Sequence, residues 1–118
     1  INAALGRLGG NTGVYLRLMD AFLQDLPQLP EKLAGLLAAG QGGDAARLMH
    51  TFKGLAATLG ATQLKNFAAG AEQRVRAAEP GAHADAVVTG LRVAVDATIK
   101  NMNLIGEHLR ASQEDAEN

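Results

Sequence analysis

Cysteine and tryptophan are both absent from these 118 residues, and aromatic residues amount to only 3%. Without thiols there is no disulfide framework, no cysteine-based zinc site and no thiol chemistry, a composition compatible with the cytoplasm. With so few rings the core has to be assembled from Leu, Val and Ala, and many small side chains favour close helix packing over a sheet. An excess of one charge sign is also missing. The formal net charge is −1, which supplies neither a basic field for nucleic acid nor a polybasic patch for a membrane surface. No apolar run approaches the ~20 residues that span a bilayer, and no signal-peptide pattern opens the sequence. Strand-type alternation, internal repeats and low-complexity linkers are missing throughout. So are a Gly-rich phosphate loop with Lys-Ser/Thr, any nucleotide fingerprint and any Glu-x-x-His pair, which excludes a recognisable ATP site and argues against a di-iron bundle.

What is there is helical periodicity. The length suits one domain. Leu5 and Leu8 suggest a short first helix stopped by Gly9-Gly10, and Asn11 or Thr12 can cap the next. From there Tyr15, Leu18, Phe22, Leu26, Leu29, Leu33 and Leu36 keep three-four spacing as far as Gly40. Pro27 and Pro30 interrupt the hydrogen bonding but not the apolar phase, so one long kinked helix and two helices broken near Pro27 both fit. After the turn Gly40-Gln41-Gly42-Gly43, Asp44 can cap a helix running to about Gly60. Thr62 can cap another, with Leu64, Ala68, Ala71, Val75 and Ala78 inside and Pro80-Gly81 ending it. A last helix from near Ala82 would bury Val88, Leu91, Val95, Met102, Ile105 and Leu109. The expected fold is all-α: an antiparallel up-down four-helix bundle with a short extra N-terminal helix, packed near the ~20° crossing of such bundles. Residues 1–111 form the expected domain, and 112–118 a polar tail expected to fray.

The most informative segment is His50-Thr51-Phe52-Lys53-Gly54-Leu55-Ala56-Ala57-Thr58-Leu59-Gly60-Ala61. Leu48, Phe52, Leu55 and Leu59 recur at steps of four, three and four and define one buried stripe at about 100° per residue. His50 falls nearly opposite. Lys53 and Gly54 share its face, with Ala46, Ala57 and Ala61 one turn or more away. A neutral imidazole is a nucleophile, and a reference pKa near ~6.5 leaves an exposed histidine mostly neutral at pH 7. Lys53 can neutralise an anionic group on the ring. Gly54 costs a helix ~1 kcal/mol relative to Ala, and close approach of a partner would account for it.

The segment resembles the signature of histidine-containing phosphotransfer domains, similar to His-x-x-Lys-Gly followed by small residues, an apolar residue and Gly-Ala. The resemblance extends to Leu5-Gly6-Arg7-Leu8-Gly9-Gly10-Asn11, to Tyr15, Leu18 and Phe22, to Gly43-Asp44 before the histidine helix and to Glu72 after it. It covers roughly residues 1 to 80. It implies that His50 is a phosphoacceptor, that Lys53 stabilises phosphoryl charge, and that Glu72 accepts a hydrogen bond from Nδ1–H, leaving Nε2 to attack. Arg76 would add positive charge. Ala46, Gly54, Ala57 and Ala61 would form the docking face.

The implied partners are receiver domains, of response regulators or of the parent chain, which would bring the divalent cation. No cofactor, metal, nucleic acid or direct membrane contact is expected of this chain, and a monomer suffices. It also lacks the clustered acidic residues with which receivers hold a metal. The expected context is the C-terminal module of a hybrid sensor histidine kinase, cytoplasmic and anchored through its parent in the inner membrane, with a stand-alone carrier as the alternative. Blander readings exist for each residue. His50 and Lys53 can be solvated surface groups, Glu72 and Arg76 an i,i+4 ion pair, Gly54 and Gly60 aids to packing and termination. His83 and His108 have no ligand-spaced partner and read as surface residues. The alternative for the whole chain is a helical docking or dimerisation module without chemistry.

Overall fold

The computed structural model describes residues 12–77 and 84–117, and within them it is a helical bundle without strands. The first arm is α1 (Thr12–Asp25), one 3-10 turn (Leu26–Gln28) and α2 (Leu29–Ala38); α3 (Gly42–Leu59), α4 (Thr62–Ala77) and α5 (Ala84–Glu117) follow. The expected short helix at Leu5 and Leu8, the stop at Pro80-Gly81, and His83 lie outside the described residues. The 34-residue α5 is about 51 Å long at 1.5 Å per residue, close to the 57 Å longest dimension, so this helix sets the length of the molecule.

Between the two forms compatible with the first arm, the structure has two α-helices, but the chain never leaves helical space between them. Asp25, Gln28 and Leu29 all keep right-handed helical angles. Pro27 and Pro30 each occupy a first-turn position, where the missing N–H has no intrahelical partner to lose. The apolar phase therefore survives the break, and Leu26, Leu29 and Leu33 are fully buried. One expected member is displaced: Leu18 is exposed, and Met19 takes its place in the core.

The histidine helix begins earlier than expected. Gln41 precedes its first residue, and Asp44 is not the cap but a first-turn acid, favourable beside the helix N-terminus and 3.6 Å from Arg47. Its end is as expected at Gly60, whose φ of 77° is a left-handed conformation that a Cβ disfavours. The Gly60 N–H donates to the Ala57 carbonyl and the Ala61 N–H to that of Ala56 at 2.8 Å, the paired bonds of a Schellman turn. That turn folds Ala61 inward, where it is buried. Thr62 is then the first residue of α4 rather than its cap.

The buried side of α3 also differs from the expected stripe. Ala45, Met49, Phe52, Ala56 and Leu59 are buried, Leu48 is half-buried, and Leu55 is 40% exposed. At 100° per residue the buried arc is centred about 50° from the expected one, turned toward Lys53 and Ala46. α4 packs along that flank, where its Glu72 meets His50 and Lys53, and Ala46 on the same side is completely buried.

Two polar or aromatic contacts tie α1 to this helix. The Tyr15 hydroxyl donates to the Leu59 carbonyl at 2.7 Å, and the Phe22 and Phe52 rings lie 6.1 Å apart. On α5, Val87, Leu91, Ala94, Val95 and Met102 are buried, with Val88 and Ile105 only packed at the edge. Gly90 lies under Phe67 of α4, so close that a Cβ there would meet the ring at 2.7 Å. The backbone of α5 is helical through Glu117.

Candidate functional site

His50 sits in the middle of α3 with 64% of its side chain exposed, and Lys53 is one turn further along. The tight turn at Gly60 and Ala61 reverses the chain, so that α4 runs back beside α3 and Glu72 arrives opposite His50 although 22 residues separate them. The Glu72 side chain is only 13% exposed, wedged between the two helices.

Three basic side chains converge on this one carboxylate. Oε1 lies 3.3 Å from His50 Nδ1 and 3.1 Å from Lys53 Nζ. Oε2 receives Arg76 Nε at 3.3 Å and Arg76 Nη2 at 3.2 Å. The hydrogen bond from Lys53 is the main force holding the Glu72 carboxyl below its ordinary value; those from His50 and Arg76 act in the same direction, and burial opposes them. An ionised carboxylate can only accept, so the hydrogen between the two groups belongs to Nδ1. When the ring is neutral, its lone pair is then on Nε2, away from Glu72.

Lys53 and Arg76 set two positive charges against one negative charge, leaving a local surplus of one. Beside them Gly54 is exposed, with nothing beyond its own stretch of helix within 4 Å of the place its Cβ would occupy. Ala57 is half-buried. The surface that results is a nucleophile with a defined ring orientation, a cation one turn away and unobstructed space next to it.

Of the residues expected at the site, His50, Lys53, Glu72 and Arg76 are brought together, with Gly54 and Ala57 on the accessible side. Ala46 and Ala61 are corrected: both are buried, Ala61 inside the Schellman turn, so neither offers its side chain to a docking partner. His108 is exposed on α5, as expected. The sequence reading missed the exposure of Leu18 and Leu55. They line a shallow apolar groove between α1 and α3, with Phe22 and Thr58 among its walls. Helical spacing alone could not reveal this, because both leucines fit a core pattern. Among the described residues no group of three His, Cys, Asp or Glu side chains could hold a metal ion, and no helix is long and apolar enough to cross a membrane.

A family model described as Hpt domain matches residues 17–112. No curated protein and no solved structure matches the chain.

Proposed function

Because the chain belongs to the Hpt domain family, we propose that it is an intermediate carrier of a multistep phosphorelay in which His50 takes a phosphoryl group from the aspartate of one receiver domain and gives it to another. The observation that carries this reading is the exposed ring whose Nδ1 faces an ionised carboxylate, with a lysine one turn away.

The step is a displacement at phosphorus. The Nε2 lone pair forms the N–P bond as the P–O bond of the acyl phosphate breaks, and that electron pair leaves with the receiver's carboxylate. The Nδ1 proton stays where it is. The ring becomes cationic, and Glu72, already its partner, faces the new charge. Lys53 is placed to meet the phosphoryl oxygens, and the open space over Gly54 lets donor and ring approach in line. The second transfer is the same step in reverse toward another carboxylate.

On this reading the partners are receiver domains, of separate response regulators or of a parent hybrid kinase, and they bring the divalent cation. No ATP chemistry is asked of this chain.

The test is to incubate the chain with a phosphorylated receiver and map acid-labile, base-stable phosphate by mass spectrometry. Phosphate is expected on His50. A folded His50→Gln variant should take none and should block relay to a second receiver; relay through that variant would overturn the assignment.

A further inference from the structure

The Glu72 carboxylate is fully subscribed. An ionised carboxyl group offers about four lone-pair sites, and four N–H groups lie on it: His50 Nδ1, Lys53 Nζ, and Nε and Nη2 of Arg76. Their distribution is uneven. Arg76 has Oε2 to itself, while His50 and Lys53 share Oε1, the oxygen that faces α3.

This poses a problem for a carrier. Lys53 can serve a phosphoryl group on His50 only if it is not wholly committed to Glu72. A lone Lys–Glu pair, with the carboxylate mostly buried, is neutral and would hold the ammonium in place. Arg76 changes that balance by supplying a second positive charge to the same carboxylate, from its far side. It also fixes the rotation of the carboxylate, because two N–H groups on Oε2 leave Oε1 pointing at the ring.

We propose that Arg76 is a positioning residue: by occupying and neutralising Oε2 of Glu72 it keeps Oε1 on the His50 ring and leaves Lys53 free to move to the phosphoryl group. The inference rests on the phosphotransfer reading above, and it assigns Arg76 no contact with phosphate. Arg76 acts through Glu72, so its importance depends on the negative charge there. Replacing Glu72 by Gln keeps a carbonyl oxygen for the ring N–H but removes the charge that detains Lys53. In that background Arg76 has nothing left to neutralise.

A double-mutant cycle tests this. Initial rates of label transfer from a phosphorylated receiver are measured for wild type, Arg76→Gln, Glu72→Gln and the double variant, with Arg76→Lys as the charge-conserving control. Arg76→Gln is expected to slow transfer about five- to tenfold, Arg76→Lys, which keeps the charge but cannot set two N–H groups in a fork on Oε2, to recover only part of that loss, and the double variant to match Glu72→Gln within about twofold. Equal losses from Arg76→Gln in both backgrounds would mean that the guanidinium touches the phosphoryl group itself, and would overturn the proposal. So would no loss in either, the behaviour of a surface ion pair.

A readout independent of transfer is proton exchange at the Lys53 ammonium, followed by NMR in the unphosphorylated protein. It should slow in Arg76→Gln as Lys53 closes on Glu72, and unchanged exchange would count against the proposal. If the wild-type chain takes no label at all, the phosphotransfer reading fails, whereas slower Lys53 exchange would still uphold the coupling between Arg76 and Lys53.

Discussion

Among the described residues, charged side chains join helices at two places, and the shorter contact is the less consequential. Arg110 of α5 reaches Asp20 of α1 at 2.8 Å, closer than any of the contacts on Glu72. Both of its side chains are about half exposed, so water and salt screen the pair and ordering two mobile side chains offsets much of the attraction. Glu72 makes longer bonds from a nearly buried position and serves three partners on two helices. Its ionisation changes as a result. In a bundle of this size, burial and sharing decide what a charge can do, and bond length does not.

The comparison can be broken most decisively at Lys53. Lys53→Ala should reduce the rate of transfer to His50 by about tenfold to a hundredfold, while Arg110→Ala should leave that rate within about twofold. Stopped-time labelling of the two variants decides it, and equal losses would show that the network on Glu72 has no special standing. The fully buried polar contact extends the same series. Tyr15→Phe removes the hydroxyl that donates to the Leu59 carbonyl and should cost about 1 kcal/mol in urea unfolding. A variant as stable as wild type would mean that water satisfies that carbonyl equally well.

Acid should separate the clusters next. The Glu72 carboxyl is held below its ordinary value of 4.5, so the folded state favours its ionised form. Its contribution is complete above the unfolded value and is lost as pH falls through the lowered folded value. Wild type should therefore lose stability more steeply below about pH 4.5 than Glu72→Gln does; parallel curves from denaturant melts across that range would contradict the shift. The smallest effect is expected from Arg110→Ala, about 0–1 kcal/mol and shrinking further with added salt. A cost well above that range would place the Asp20–Arg110 pair among the contacts that hold the bundle together.

Much of the site was legible in the sequence. His50, Lys53 and Gly54 share a helix face by their spacing alone. The resemblance to a phosphotransfer signature pointed to Glu72, which no local pattern could connect to a histidine 22 residues away. Arg76 was visible only as an i,i+4 neighbour of Glu72; that it occupies one carboxylate oxygen and leaves the other to His50 and Lys53 is a matter of side-chain geometry. The departures over which side of α3 is buried have one origin. Leu55 fits an apolar stripe as well as Ala56 does, and hydrophobicity favours the leucine. The structure buries the alanine because α4 lies on the Lys53 side of α3 and turns the buried arc toward it. Ala46 on that side is buried as well, though it had looked like part of an open face.

The sequence by itself determined the helical segments, since three-four periodicity and glycine at position 60 are local properties of the chain, while the choice between one kinked helix and two at Pro27 and Pro30 fell to the structure. It also determined that a histidine with a lysine one turn on would lie away from the main apolar side of its helix. Only the tertiary structure decided which small residues are surface and which are core, and how a single carboxylate is divided among three basic side chains. The physical reason is that periodicity fixes angles around one helix axis, whereas burial and charge sharing depend on where a second helix lies relative to that axis.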